Sequence, residues 1–538
     1  MKSGSTRGLG GTMARIPYAL RTIKWAGVQG LTLLLCFGSG VLLDHVQHLG
    51  PSIVVLTTVL GMSLGRTQRS GGVRERLFTL AMLPLTAIAC TEVGRLFVEH
   101  PNVADALFTA ALGGSIWMRR LGHWGARLGT LIALPFIALL VTPVPVLPGA
   151  APGVGRSMLW SAVAAVIAFC WVWAVQEAAR RVGFLASPTL PRQRAEASAT
   201  RRTESSPTRG TAPGRRISAS SRLALQMTLS LALAFVIGRE AFGPHWTWIV
   251  LTAFIVNSGN RGRGDVVYKA ALRVCGAAVG TVVATLVGSL FPPRDNTAIV
   301  VILIVLVLGG WLRTFNYAYW AGSVTSVLSL LQGYFGEGHP GLIGERLLQI
   351  ALGGVLAAAI AWLVLPIKSE AVVRRRVADC LEALTEILRA FLHDPAALDR
   401  HHRAFTDQLL QLELIAPATA AHRRIHRLRG IEFAHPADAL DALAGCAEPV
   451  RLIAHAAIQD PDILGDPQVA GLVKAVVGNV VGARRFVGRR EQARYRPVPP
   501  SIPEQQTSAA REALSALHRI DGSARVVCEV YRPRVPPA

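Results

Sequence analysis

The stretch that decides the fold is GPHWTWIVLTAFIVNSGNRGRGDVVYKAALRVCGAAVGTVVATLVGSLF, residues 243–291. It holds a short apolar run led by aromatic side chains, a turn carrying Arg261, Arg263 and Lys269, and a second, longer apolar run. The longer run reaches the roughly 20 apolar residues that a helix needs to cross a bilayer. Apolar runs joined by short basic turns are typical of membrane-embedded helices.

The same pattern repeats over the first two thirds of the 538 residues, of which 51% are hydrophobic and only 17% charged. Globular domains carry about 25% charged residues, so a wholly soluble enzyme is excluded. Twelve apolar runs lie near 26–43, 50–64, 77–98, 102–118, 126–143, 158–175, 223–238, 244–257, 270–291, 297–312, 316–333 and 347–366. They predict an all-α membrane protein with about twelve transmembrane helices.

The charges indicate how the chain is oriented. Residues 1–367 hold 32 basic and 13 acidic groups, whereas residues 368–538 hold 24 and 20. With the N-terminus inside, 26 Lys and Arg fall in inside segments and four, Arg156, Arg239, Arg294 and Arg346, in outside loops. This asymmetry predicts that both termini are cytoplasmic. Basic groups scattered in short loops argue against nucleic acid as a partner, and the seven cysteines form no CxxC pair that would indicate a zinc site.

The two halves of the apolar region resemble each other at their Gly, Pro and Arg positions. GPSIVVLTTVLGMSLG from Gly50 aligns with GPHWTWIVLTAFIVNSG from Gly243, and GGSIWMRR from Gly113 aligns with GGWLR from Gly309. Because each unit holds an even number of runs, the sequence predicts two parallel six-helix repeats, residues 26–176 and 223–367. The first repeat has no counterpart of the tryptophans in the second, so a site built on them is asymmetric.

Three further segments complete the predicted organisation. Residues 1–25 form a cytoplasmic N-terminal segment, and residues 177–222, rich in Arg, Ser and Pro, form a disordered cytoplasmic linker. Residues 368–538 read as a cytoplasmic helical domain, since apolar residues recur at helical spacing from 381 to 391 and around 404–416, 437–458, 468–487 and 507–519.

Ionisable residues inside membrane spans are the default functional candidates. Glu92, Arg95 and Asp105 are predicted to take part in ion coupling, although Glu92 and Arg95 could equally form a self-satisfied surface pair and Asp105 could face water. Arg273 is predicted to bind an anionic substrate, with snorkelling to the interface as its alternative.

Aromatic and polar side chains suggest a substrate pathway for an aromatic anion. Trp246, Trp248 and Trp320 offer ring faces, but their place near span ends also suits an interfacial belt. The eleventh run carries polar residues at every third position, which predicts a lining of the pathway or a helix contact. These residues are Ser323, Ser326, Ser329 and Gln332. His422 and His426 lie four apart but have no evident third ligand, so no metal is predicted.

Residues 243–291 resemble the core of the fusaric acid resistance family of integral membrane transporters, through the aromatic-led short span, the basic turn and the following helix with Gly276, Gly280 and Gly288. The resemblance implies a plasma-membrane protein of a bacterium that exports aromatic carboxylic acids. The related plant malate channels would instead imply a passive anion channel, and a non-transporting scaffold is a third alternative. None of the five lysines stands in a P-loop, so no ATP-driven step, enzyme activity or cofactor is predicted. The substrate, any homo-oligomer and any periplasmic adaptor stay open.

Overall fold

The computed structural model describes residues 15–67, 72–141, 154–184, 218–334, 341–394, 397–431, 433–460, 463, 465–490, 493–499 and 507–532. Within these ranges all regular secondary structure is helical. Twelve helices coincide with the twelve apolar runs: α1 (Arg15–Gln47), α2 (Pro51–Thr67), α3 (Val73–Glu99), α4 (Pro101–Trp117), α5 (Gly122–Val141), α6 (Val154–Arg181), α7 (Ala219–Phe242), α8 (Thr247–Asn257), α9 (Arg263–Gly288), α10 (Asn296–Leu312), α11 (Tyr317–Tyr334) and α12 (Gly341–Leu363).

The apolar helices differ in length. Among the described residues, seven helical stretches are long and apolar enough to cross a membrane, and one of them, Pro101–Val141, joins α4 and α5. Three further apolar helices are shorter: Pro51–Gly65, Thr247–Asn257 and Asn296–Leu312. The prediction of an all-α membrane protein is confirmed, while the number of crossings stays a prediction.

The chain divides into two compact units. Unit 1 contains α1 to α8, the part of α9 from Lys269 onward, and α10 to α12, and it ends at Pro366. Unit 2 contains residues 261–268 and the chain from Ile367.

The helices of unit 1 pack in two similar groups. In the first half α1, α2 and α6 contact one another, and in the second half their counterparts α7, α8 and α12 do the same. The halves also meet reciprocally, since α4 packs on α7 and α10 packs on α1. Glycines allow both close approaches: a Cβ on Gly113 would lie 2.0 Å from Thr228 Oγ1, and one on Gly30 would lie 3.3 Å from Val307. This pattern supports the predicted repeats.

Several predicted boundaries change. Helix α1 begins at Arg15 inside the predicted N-terminal segment, and residues 1–14 lie outside the described residues. The linker is shorter than predicted because α6 continues to Arg181, where Arg180 and Arg181 pair with Glu177 (3.1 and 3.3 Å), and α7 begins at Ala219 behind the cap Ser218. Residues 185–217 lie outside the described residues.

Unit 2 contains seven helices in its described part: α13 (Ser369–His393), α14 (Leu398–Glu413), α15 (Ala416–Leu428), α16 (Pro436–Ala444), α17 (Ala447–Gln459), α18 (Pro467–Val487) and α19 (Ser508–Tyr531). Its core lies where α13, α18 and α19 meet, around side chains such as Leu381, Val476 and Leu517. The predicted 437–458 segment is two helices, divided at Gly445 and Cys446. The helix predicted to carry His422 and His426 is α15, which has no buried residue.

Candidate functional site

Helix α8 places two tryptophans inside unit 1. It has only eleven residues, about 16 Å of helix, too short for a hydrocarbon core of roughly 30 Å. A 3-10 turn over Gly243–His245 leads into it, with Gly243 at a positive φ of 51°. Because α7 and α12 cover α8, nearly all of its side chains are buried, and both Trp246 and Trp248 are only 8% exposed. The tryptophans are therefore part of the protein interior and not of an interfacial belt.

Arg346, in the second turn of α12, lies over the ring of Trp248 with its guanidinium carbon 4.7 Å from the ring centroid. Its Nη1 donates to Ser329 Oγ and its Nη2 donates to Gln332 Oε1, both on α11. The side chain is 7% exposed and its Nε has no hydrogen-bond partner. We call Trp248, Ser329, Gln332 and Arg346 the Arg346 cluster.

The Arg346 cluster holds a buried positive charge among neutral groups. No carboxylate of the described residues pairs with Arg346. Removing a guanidinium from water costs several kcal/mol unless a counter-charge compensates. A guanidinium has five N–H donors in a planar fork that fits a carboxylate, and here only two are used. The cluster can therefore bind an anion.

A second arginine stacks on the other tryptophan but is neutralised. Arg239 of α7 lies 4.9 Å from the ring centroid of Trp246, and its Nε and Nη2 donate to Asp105 on α4 at 2.5 and 2.7 Å. This bidentate pair joins the two halves of unit 1. Arg239 and Arg346, which the sequence placed in outside loops, thus both lie in helices.

A third arginine is buried near the opposite end of α11. Arg273 of α9 is 1% exposed, and its Nη1 donates to the carbonyl of Ala321 at 3.4 Å, while Nε and Nη2 have no partner. The Tyr317 hydroxyl, one turn before Ala321, is buried without a hydrogen-bond partner among the described residues, and Arg313 lies 5.4 Å from the Trp320 ring centroid. We call Arg273, Arg313, Tyr317 and Trp320 the Arg273 cluster. The burial of Arg273 itself argues against the alternative that this side chain snorkels to the interface.

The polar residues of the stripe on α11 contact three different neighbouring helices. Ser323 lies against Gly309 of α10, Ser326 donates to the carbonyl of Gly280 on α9 at 2.7 Å, and only Ser329 and Gln332 reach Arg346. A three-residue period falls short of the 3.6 residues of a helical turn, so the stripe winds around the helix. Ser323 and Ser326 are placed in helix contacts.

The other predicted ionic residues lie apart from both clusters. Arg95 bonds Glu92 at 3.0 Å and Glu99 at 3.3 Å on the surface of α3, where its side chain is 42% exposed. Asp105 is held by Arg239. Arg346 was not predicted as a site residue, because the apolar run was counted from residue 347 and Arg346 was assigned to the loop before it. Arg346 lies at helical spacing from apolar residues of that run, and this spacing is the signal that could have identified it.

Unit 2 brings the two predicted histidines to a third one. His422 Nδ1 lies 2.9 Å from His435 Nε2, and the His422 and His426 rings are 4.2 Å apart. His435 Nδ1 accepts from the Ala437 amide at 3.1 Å and so caps α16. Burial, together with the nearby His422 and His426, lowers the pKa of His435 to about 4. Within the described part of the chain no group of three ligands suits a metal ion.

Comparison with protein families gives one match: residues 229–360 fit the family described as fusaric acid resistance protein-like. The resemblance drawn from the sequence is confirmed for this stretch, which holds α8, α9, α10 and α11 whole, most of α7 and α12, and both arginine clusters. Comparison with curated proteins and with solved structures finds no match.

Proposed function

Because residues 229–360 match the family described as fusaric acid resistance protein-like, we propose that the protein is a gradient-driven exporter of aromatic carboxylic acids. The observation that carries this proposal is Arg346, a buried guanidinium stacked on Trp248 that is bound only by neutral side chains among the described residues. Ionisable side chains inside membrane segments are rare and mark substrate pathways.

The chemistry of the Arg346 cluster fits a carboxylate attached to an aromatic ring. The carboxylate would take the unused donors of the guanidinium and neutralise its charge, forming charge-assisted hydrogen bonds. Ser329 and Gln332 hold the fork in place, and Trp248 fixes its plane from one side. The surrounding apolar side chains of α8 and α12 would favour a ring over a polar body.

The Arg273 cluster supplies a second position for an anion on the same helix. Ala321, which Arg273 contacts, precedes Ser329 and Gln332 by 8 and 11 residues on α11, about 12 to 17 Å along the helix axis. An anion moving along α11 would exchange one buried arginine for the other. Two arginines at different depths would spare the anion a long step through an apolar interior.

The orientation follows from the basic residues of the loops. The protein then lies in the plasma membrane of a bacterium, with both termini and residues 177–222 on the cytoplasmic side. The Arg346 cluster lies toward the outer side. A cysteine placed at Ser206 should resist an impermeant thiol reagent added to intact cells. Labelling at Ser206 from outside would reverse the orientation.

Transport by the purified protein in proteoliposomes tests the function. Flux of benzoate that is driven by an imposed proton gradient, and that benzamide does not compete with, is the expected result. Benzoate flux that ignores the gradient would support the passive channel. A complete lack of flux for benzoate and malate would leave the scaffold alternative.

A further inference from the structure

The described chain from residue 367 exposes only three large apolar side chains. Ile425, Leu428 and Phe433 are 48%, 87% and 67% exposed, and they lie within nine residues of one another. Ile425 and Leu428 stand on α15 with Ala421 at spacings of i, i+4 and i+7, so the three share one face. An apolar cluster of this kind on an otherwise polar surface marks an interaction site.

The opposite side of α15 is firmly held, so its apolar face is kept outward. Arg423 Nη1 donates to Asp438 at 2.6 Å and to Asp441 at 2.7 Å on α16, and His422 contacts His435 at 2.9 Å. At the end of the helix Gly430 adopts a positive φ of 71°, and the Ile431 amide bonds the carbonyl of His426 at 3.1 Å. Phe433, beyond this stop, lines a groove with Arg423, His426 and Arg427, on the held side of α15 and not on the face of Ile425 and Leu428.

Positive charge surrounds the apolar face. Arg424, Arg427 and Arg429 are all exposed, and Arg424 and Arg429 flank the line of Ala421 and Ile425. A second copy of the same face would bring arginines against arginines, which disfavours a twofold contact. Apolar side chains rimmed by arginine suit the surface of an anionic bilayer, where acyl chains accept the former and phosphates the latter.

We propose that α15 binds the surface of an anionic lipid bilayer through the face that holds Ala421, Ile425 and Leu428. Because unit 1 anchors the chain in the membrane, binding is intramolecular and a short helix with three apolar side chains is enough. The contact depends on anionic lipid and weakens with salt, since exposed charges are screened within about 10 Å at 0.1 M salt.

A fluorescent label on α15 of the full-length protein tests the proposal. In a background with Cys170→Ala and Cys275→Ala, which removes the two exposed native thiols, Leu428→Cys carries bimane. Lys474→Cys, exposed on α18, carries it in the matched control. The protein is reconstituted in vesicles of phosphatidylcholine alone, or with about one third phosphatidylglycerol in both leaflets. A fraction of the lipid bears a quencher.

The expected result is strong quenching at residue 428 in the anionic vesicles, at least about threefold less in phosphatidylcholine or in high salt, and little at residue 474. Arg424→Gln, Arg427→Gln and Arg429→Gln together should abolish it. The salt dependence of the unaltered patch keeps the test valid even if this triple variant folds poorly. A blue-shifted bimane without lipid quenching would show a protein partner or a second copy on this face, and equal spectra in both lipids would show no binding. Either result overturns the proposal.

Discussion

Arg239 and Arg346 stack on Trp246 and Trp248 in the same way, yet only Arg239 has a carboxylate partner. The two tryptophans flank the start of one short helix, so their surroundings are similar. Asp105 neutralises Arg239 and ties α4 to α7, which makes that pair a structural clamp. Arg346 bonds a hydroxyl and an amide, which position a guanidinium without neutralising it. The contrast separates an arginine that is neutralised within the protein from one that we propose is held for a ligand.

The largest effect that would test this contrast is loss of carboxylate affinity in Arg346→Gln. One charge-assisted hydrogen bond contributes about 1.5 to 3 kcal/mol, so benzoate affinity should fall roughly 10- to 150-fold. Thermal stability should stay equal or rise, because an uncompensated buried charge is removed. Titration of the purified protein with benzoate, alongside benzamide, measures the first and a melting curve the second.

Arg346→Lys is the matched control for this variant. It keeps the charge but loses the planar fork and the stacking on Trp248, so its affinity should lie between those of the native protein and Arg346→Gln. Unaltered benzoate affinity in both variants would make Arg346 a second structural arginine and end the contrast.

The converse variant, Asp105→Asn, should lower stability and leave transport unaltered. It leaves Arg239 partly buried without its counter-charge, and the pair is about one-fifth exposed, so the free energy of unfolding should fall by about 2 kcal/mol. Benzoate flux per folded molecule should stay the same. If flux instead loses its dependence on the proton gradient at unaltered stability, Asp105 would take the ion-coupling role that the sequence predicted.

A smaller effect is expected at Ser326, between the two arginine clusters. Ser326→Ala removes the hydroxyl that donates to the Gly280 carbonyl and adds no bulk at the crossing of α9 and α11. Unfolding free energy should fall by about 1 kcal/mol, with flux per folded molecule as in the native protein. A selective fall in flux would return Ser326 to the pathway lining predicted from the stripe.

His435, outside the apolar helices, offers a further test of whether a group held by hydrogen bonds resists becoming charged. Its Nδ1 accepts from the Ala437 amide, which requires the neutral form, and its Nε2 then donates to His422 Nδ1. An unfolded histidine binds a proton near pH 6.5, whereas burial lowers the folded pKa to about 4. Between these values the unfolded chain binds more protons, so stability falls as pH falls.

Hydrogen exchange of the α16 amides measures this effect in the full-length protein. Their opening free energy should fall by about 1 to 2 kcal/mol between pH 7 and pH 5, after correction for intrinsic exchange. His435→Asn keeps a capping side chain that does not titrate, so its opening free energy should change much less with pH. An equal fall in the variant would place the sensitive group elsewhere.

The sequence predicts the helices of unit 1 well because apolar length is a local property. Arg346 was not predicted, because its distinguishing feature is its contact with Trp248 and Gln332. These two residues belong to other helices and come close to Arg346 only when the helices pack. The stripe on α11 left two alternatives open for the same reason: spacing reveals that Ser323 and Ser326 share a helix, but not whether each one lines a pathway or contacts a neighbouring helix. Helix α15 was predicted only as the helix that carries His422 and His426, because its apolar side chains serve no core and give no core pattern.

The reciprocal packing of α4 on α7 and of α10 on α1 also determines how long each helix waits for its partner during synthesis. Gly113 meets Thr228 after roughly 115 residues of further synthesis, but Gly30 waits roughly 280 residues for Val307. At about 5 to 20 residues per second, that face of α1 stays without its partner helix for roughly 15 to 55 seconds. Other nascent helices and insertion chaperones can meet it during this interval. Chains truncated before α10 should therefore be degraded faster than chains truncated just after it.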